Sequence, residues 1–261
     1  MVNLKELLAF FEETAPRALA EDYDNVGLLV QGDTEIVETV FVALDVDERV
    51  VCEAAEAKAQ LILSHHPLMF RPVKRLTEEE GGERALRRLI QKGIGLFAMH
   101  TNFDAAQNGL CDAFLHAFGD FENCTSFTGG KEGIGRIGTL KEPVALGELL
   151  KRGKAYFSPE TPIQYVGDAD ALVTRLAVCN GGGADLLYEA KALGADVYIS
   201  GDFKHHHARF AYENNIHVIK IDHYDAEVGF CALMAERLQT VFGDSLQVVS
   251  SKAEKSPWRS F

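Results

Sequence analysis

The chain has 261 residues, of which 47% are apolar and 25% charged, and it carries a formal net charge of −13 at pH 7. This composition is typical of a globular protein that buries a sizeable core, as one large α/β domain or two packed lobes. The acidic charge argues against binding to nucleic acid, which needs a basic face, but leaves room for a small anionic substrate held by local positive groups.

The sequence contains neither a membrane span nor a disulfide framework. No run approaches the roughly 18 consecutive apolar residues that a transmembrane helix needs. The five cysteines are scattered and form no CxxC pair, which is typical of a reducing compartment. We therefore predict a cytoplasmic protein with no membrane contact.

The first half of the chain alternates helical patterns with short apolar runs. The acidic residues within its apolar pattern make MVNLKELLAFFEETAP (1–16) an amphipathic helix. The following patterns predict, in order, the strand VFVALD (40–45), the helix DERVVCEAAEAKA (47–59), the strand LILS (61–64), the helix GERALRRLIQKG (82–93) and the strand IGLFAMH (94–100).

The second half repeats this alternation after a connecting stretch, residues 126–169, which predicts short β structure and the helix ALGELLKRG. Then come the strand RLAVCN (175–180), the turn GGG (181–183), the helix ADLLYEAKALG (184–194) and the strands DVYIS (196–200) and HVIKID (217–222). These strands are continuously apolar, as in sheets buried on both faces, and crossover helices imply parallel pairing. The fold class is therefore α/β with a mostly parallel sheet.

The two halves also resemble each other. EAKAQLILS in one matches EAKALGADVYIS in the other, and each half runs on to a third strand that ends in histidine, followed four residues later by a carboxylate. The two pairs are His100 with Asp104 and His223 with Glu227. We interpret the chain as an N-terminal α/β lobe (1–125), a connecting β/α segment (126–169) and a C-terminal α/β lobe (170–261), with the two lobes sharing one core and one site.

Histidines stand at the predicted carboxyl ends of the strands, where ligands gather in parallel α/β sheets. His65 and His66 follow LILS, and Pro67 favours an extended conformation at His66. We expect Glu227 in the first turn of the helix DAEVGFCALMAERLQTVF, where its carboxylate, like that of Asp104, can bridge two cations. Several imidazoles with two carboxylates and no thiolate suit Zn, Fe, Mn or Ni.

Each of these motifs also has a structural interpretation. An isolated HHP is more often a surface loop, and histidine–acid pairs at this spacing are common on helices. Three such motifs at strand ends of one sheet favour a metal site over both.

Three further motifs leave more than one interpretation open. GDFKHHHARFA predicts a helix that starts near His205, His206 and His207 with Asp202 as its N-cap, and we expect one of the three histidines to face the site. GGG can hold an anion at a helix start but fits a tight turn better. Three cationic residues follow the HHP motif: Arg71, Lys74 and Arg75. They either bind a phosphate beside the metals or are solvent-exposed side chains of a surface loop.

The sequence resembles the Nif-three-like family, whose bacterial members are often named GTP cyclohydrolase 1 type 2 homologues. The resemblance runs nearly end to end, through AEDYDNVGLLVQG, LILSHHPLMFRPVKRL, HTNFDAAQNG, CNGGGADLLYEAKALGADVYISGDFKHHHA and HYDAE. It implies two related, intertwined α/β lobes, a homohexameric ring and a dinuclear centre with two divalent metal ions per subunit. The ligands implied at matching positions are His65, His66, Asp104, His223 and Glu227, with His100 close by.

The sequence departs from the family at two places. Asp222 stands immediately before His223, where the resemblance implies a glycine. We expect this change to alter the local backbone and to add a carboxylate beside a ligand. The connecting stretch is also too short for the large domain that some relatives carry between the halves.

The leading functional hypothesis is a metal-dependent hydrolase of a small substrate such as a nucleotide, with His100 as the candidate proton shuttle. The alternative is a non-catalytic metal-binding scaffold or regulator that acts through protein partners. No sequence feature separates the two, because storage and catalysis need the same ligands. A third hypothesis, a ring that threads nucleic acid, fits the acidic charge badly.

Overall fold

The computed structural model describes residues 1–130, 132–157 and 163–258. The strands are β1 (Val2–Asn3), β2 (Gly27–Val30), β3 (Ile36–Val37), β4 (Thr39–Ala43), β5 (Leu61–Ser64), β6 (Gly95–Ala98), β7 (Phe121–Ser126), β8 (Arg136–Ala145), β9 (Gln164–Val166), β10 (Leu172–Val178), β11 (Val197–Ser200), β12 (His217–Lys220) and β13 (Gln247–Ser250). The α-helices are α1 (Leu4–Thr14), α2 (Glu48–Glu56), α3 (Gly81–Gln91), α4 (Thr101–Ala105), α5 (Leu110–His116), α6 (Leu146–Tyr156), α7 (Leu187–Ala192), α8 (His205–Glu213), α9 (His223–Glu227) and α10 (Gly229–Phe242). Among the described residues, no helix combines the length and apolar character that a bilayer span requires.

The chain divides into two compact units. The first unit comprises Met1–Phe103 and Val228–Pro257, and the second comprises Asp104–Glu227 with Trp258. The predicted lobes have different boundaries, because strand pairing is not local. Residues 228–257 lie in the first unit since β13 pairs in parallel with β4, and residues 121–145 lie in the second since β7 and β8 belong to its sheet. Residues 131 and 158–162 of the predicted connecting segment lie outside the described residues.

The first unit contains a five-stranded sheet in the order β13-β4-β5-β6-β2, in which only β2 is antiparallel to its neighbour. All residues of β4, β5 and β6 are buried. Helices α2 and α3 cover one face, where Val50, Val51 and Leu89 join a core with Phe41 and Ile62. Asp47 caps α2, because its side chain accepts hydrogen bonds from the N–H groups of the first turn.

The second unit contains a six-stranded sheet in the order β7-β8-β10-β11-β12-β9, with β10, β11 and β12 parallel. Successive residues of one strand enter opposite cores: Val197 and Ile199 pack in one, and Tyr198 packs in the other. Burial on both faces explains why the strand sequences are apolar without alternation. The prediction of an α/β fold with mostly parallel central strands is confirmed.

The two sheets share an arrangement. In each, three consecutive parallel strands are flanked by an antiparallel strand that comes earlier in the sequence: β2 beside β6, and β9 beside β12. Two histidines of the candidate site therefore follow equivalent strands. His100 follows β6, and His223 follows β12.

Candidate metal centre

Three imidazole rings meet at the carboxyl ends of β5 and β6 in the first unit. His65 and His66 directly follow β5, and His100 lies two residues after β6. One ring nitrogen of each lies within 4.8 Å of those of the other two. His65 is fully buried, whereas His66 and His100 are half-buried. Nitrogen atoms this close to one another can bind a cation.

Each of these rings is oriented through its Nδ1 atom, which hydrogen-bonds to an oxygen. The three pairs are His65 with the Met99 carbonyl (2.7 Å), His66 with Asp45 Oδ1 (2.8 Å) and His100 with Asp24 Oδ1 (2.9 Å). Because a carbonyl oxygen only accepts, Nδ1 of His65 carries the proton and Nε2 presents a lone pair. Metal-binding histidines nearly always have such an acceptor at the second nitrogen.

Asp24 is the charged partner of His100. Its side chain is fully buried and also accepts hydrogen bonds from the backbone N–H of Thr101 (3.0 Å) and from Thr101 Oγ1 (2.5 Å). Burial alone would raise the pKa of Asp24, but the bonds from His100 and Thr101 lower it to about 2. The carboxylate is therefore ionised at neutral pH and orients the His100 ring through Nδ1.

The second unit brings two buried carboxylates to one amide. Asn180 lies just after β10, and its Nδ2 donates to Asp104 Oδ1 (2.8 Å) and to Glu227 Oε1 (3.1 Å). The Cys111 thiol donates to the Asn180 carbonyl oxygen and fixes the amide from the other side. Bonds from a neutral donor hold two acidic groups side by side, an arrangement that suits ligands of a cation.

His223 lies between two carboxylates of the same unit. Its Nδ1 is 2.8 Å from Asp202 Oδ2, and its Nε2 is 3.0 Å from Glu227 Oε2. Burial alone would lower the pKa of His223, but the Glu227 and Asp202 carboxylates outweigh it and raise the pKa to about 9. The Nδ1–carboxylate bond repeats the pattern of His66 and His100.

The pKa of His223 predicts a pH-dependent stability of the metal-free protein. Because folding raises this pKa, protonated His223 stabilises the folded state. This stabilisation is complete below about pH 6.5, the pKa of an unfolded histidine. It is lost as the pH rises through about 9. Thermal unfolding in chelator should give a melting temperature that falls over this interval, and His223→Asn should remove the decline. The exposed His206→Asn serves as control; equal pH slopes in wild type and His223→Asn would refute the assignment.

Two expectations about local structure are wrong. Glu227 is the last residue of α9, not part of the first turn of a continuous helix, because a separate helix, α10, begins at Gly229. Asp202 does not cap α8, whose N-cap is Lys204. Asp202 instead adopts a positive φ of 56° and directs its carboxylate to His223.

Asp222 and the histidines of α8 have structural contacts. Asp222 Oδ1 accepts the backbone N–H of Tyr224 (3.2 Å), so Asp222 caps the start of α9. His207 is buried, accepts the Lys204 N–H at Nδ1 (3.0 Å) and bonds to Asp185 through Nε2 (2.9 Å). His205 and His206 are exposed.

The turn Gly181-Gly182-Gly183 makes room for a candidate ligand. Gly181 has a φ of +59°, and a Cβ atom built there would overlap Glu227 Oε1. The tight-turn interpretation of this motif therefore agrees with the structure, and the turn also sets the position of the carboxylate. The sequence analysis missed Asp24, Asp45 and Asn180 as partners of the candidate ligands.

Comparisons with known proteins cover almost the whole chain. The family model described as Duf34/NIF3 (NGG1p interacting factor 3) matches residues 2–257, a range that includes every candidate ligand. The GTP cyclohydrolase 1 type 2 homolog of Clostridium perfringens is 30% identical over 260 residues, covering 98% of this chain and 99% of that protein. The homolog of Clostridium acetobutylicum is 33% identical over 243 residues, covering 91% and 90%. The crystal structure of the Staphylococcus aureus hypothetical protein SA1388 matches with a TM-score of 0.88 at 26% identity, covering 99% of both chains.

Proposed function

Because the chain belongs to the Duf34/NIF3 family, we propose that it binds two divalent cations and hydrolyses a small anionic substrate such as a nucleotide. The ligands in this proposal are His65, His66, Asp104, His223 and Glu227. Imidazole nitrogens with carboxylate oxygens suit Zn, Fe, Mn or Ni. The relatives' name, GTP cyclohydrolase 1 type 2 homolog, makes GTP the first compound to test.

One observation carries the proposal. All four imidazoles, those of His65, His66, His100 and His223, bond through Nδ1 to an oxygen acceptor. Histidines that only fill a core have no reason to share this orientation, whereas ligands need a fixed Nε2 lone pair. The donor set of the described residues therefore fits a metal centre.

The residues of the proposed site have different chemical roles. Bound cations supply Lewis acidity, which polarises a phosphoryl or carbonyl oxygen and activates water near neutral pH. Asp104 and Glu227, held by Asn180, balance the charge of the cations. His100 moves protons at Nε2 while Asp24 holds its Nδ1.

The test compares metal-loaded wild type with His65→Ala and Glu227→Ala on a panel of nucleotides and phosphoesters. We expect turnover of at least one compound by wild type, and a loss of about 100-fold or more in both variants, because each removes a proposed ligand. His206→Ala, which changes an exposed histidine, should retain full activity. Equal rates in all four proteins would refute the hydrolase. If the protein binds two ions but turns over no compound, the result would favour the alternative function, a non-catalytic metal-binding scaffold.

A further inference from the structure

Two aromatic side chains remain exposed beside the histidine cluster of the first unit. Tyr23 is 63% and Phe70 46% exposed. Their ring centroids are 6.2 Å apart with the planes tilted by 64°, and the Phe70 centroid is 6.3 Å from that of His100. Folding has left an open corner of aromatic surface next to a candidate catalytic group, a feature typical of ligand-binding sites.

Hydrogen bonds of neighbouring residues tie down the backbone beside both aromatic residues. Asn25, two residues after Tyr23, donates its Nδ2 to the carbonyl of Met69, the residue before Phe70, at 2.7 Å. Asp24, between Tyr23 and Asn25, bonds to His100 at 2.9 Å. Phe70 therefore directly follows Met69, which is hydrogen-bonded to Asn25, and Tyr23 directly precedes Asp24, which is hydrogen-bonded to His100. Preorganisation of this kind lowers the entropic cost of binding a rigid ligand.

A groove lined by three cationic and three acidic side chains includes Phe70 of the aromatic corner. Phe70, Arg71 and Lys74 line one groove with a volume of about 570 Å³, within the range of small-molecule sites. Arg75 also lines it, together with Glu79, Glu80 and Glu83. Glu83 is engaged locally, since it accepts hydrogen bonds from the Thr77 hydroxyl and from the Thr77 N–H (3.0 Å), and these bonds, with the charge of Arg75, lower its pKa. Arg71 directly follows Phe70 in the chain, and both residues line this groove.

We propose that Tyr23 and Phe70 bind the planar ring of the substrate and that Arg71 and Lys74 bind an anionic group attached to it. A flat ring on the face of one aromatic residue makes edge contact with the other, a favourable arrangement for aromatic groups. The substrate class that fits is an aromatic heterocycle with a phosphate or carboxylate group, as in nucleotides. This inference rests on the proposed function, because it supplies the substrate for that metal centre.

The test measures binding rather than turnover, on chelator-treated protein, by calorimetry with GTP, guanosine and tripolyphosphate. Phe70→Ala and Tyr23→Ala should weaken GTP and guanosine binding about tenfold, since stacking on an aromatic ring is lost. Tripolyphosphate binding should not change. Arg71→Ala combined with Lys74→Ala should weaken GTP and tripolyphosphate about tenfold but spare guanosine. Phe70→Trp, which keeps an aromatic face, should retain GTP binding.

Matched controls come from surfaces elsewhere on the chain. Tyr212 is 70% exposed and Lys151 has an 81% exposed side chain, so Tyr212→Ala and Lys151→Ala should leave all three affinities unchanged. Equal GTP affinity in Phe70→Ala and Tyr212→Ala, or no binding of GTP by wild type at millimolar concentration, would overturn the inference. So would a Phe70→Ala protein that binds GTP normally but changes its sedimentation coefficient, which would assign the corner to contact between copies.

Failure of the proposed function gives a different result. If the metal centre is wrong, wild type binds no stoichiometric cation, whatever its affinity for GTP. If only the aromatic corner is wrong, Phe70→Ala and wild type bind the same number of cations and also bind GTP equally. Metal analysis of both proteins therefore separates the two outcomes.

Discussion

Asn180→Leu is expected to lower the free energy of unfolding of the metal-free protein by about 2–4 kcal/mol, because it removes the donor shared by two buried carboxylates. Asp104 is 7% and Glu227 3% exposed, so water cannot readily replace the lost amide. Leucine has a similar volume, so the change tests the hydrogen bonds more than the packing. Urea unfolding in chelator measures the effect.

Two controls accompany this prediction. Asn214→Leu changes an exposed asparagine that donates to one carbonyl, and we expect a much smaller loss. Saturating divalent cation should recover part of the stability of Asn180→Leu, since a bound cation offsets the repulsion between the carboxylates. An unchanged urea midpoint in Asn180→Leu would show that the amide does not stabilise the pair.

Gly181→Ala is expected to reduce cation affinity by about 10- to 100-fold, the range found when groups that orient metal ligands are changed. The new methyl group would overlap Glu227 Oε1 and displace the carboxylate. The left-handed backbone at φ +59° adds about 1 kcal/mol of strain for alanine. Competition with a chromophoric chelator measures the affinity.

The neighbouring glycine provides a matched control for this substitution. A Cβ atom at Gly182 would lie 3.6 Å from its nearest neighbour, Asp202 Oδ2, which is ordinary contact, and its φ is not left-handed. Gly182→Ala should therefore bind cations like wild type. Equal affinities of the two variants would mean that the position of Glu227 does not govern binding.

The parallel core was predictable because strands that are buried on both faces consist almost entirely of apolar residues. LILS and VYIS are apolar except for a final serine, and the structure buries all residues of β5 and β11. The return of β13 to the first sheet was not predictable. A short strand near the C-terminus carries no local signal for its partner, and β13 pairs with β4 some two hundred residues earlier.

In the site, too, contacts between residues close in sequence were predictable and contacts between distant residues were not. The four-residue spacing of His223 and Glu227 predicted that their side chains approach each other, and the structure shows this contact. The bonds of Asp24 to His100 and of Asn180 to Asp104 each join residues 76 positions apart, and no local pattern encodes them. Asp202 shows how a local rule fails. Its position suited a helix cap, but a bond to His223 fixes it outside the helix.

The central claim is that imidazoles and carboxylates of this chain hold a pair of cations. Diffraction from crystals of the metal-loaded protein, recorded at the absorption edges of the candidate metals, tests it most directly. The account predicts two anomalous peaks per chain, with Nε2 of His65, His66 and His223 and the carboxylates of Asp104 and Glu227 as their nearest protein atoms. Peaks only at exposed histidines such as His206, or no peak after soaking, would contradict it.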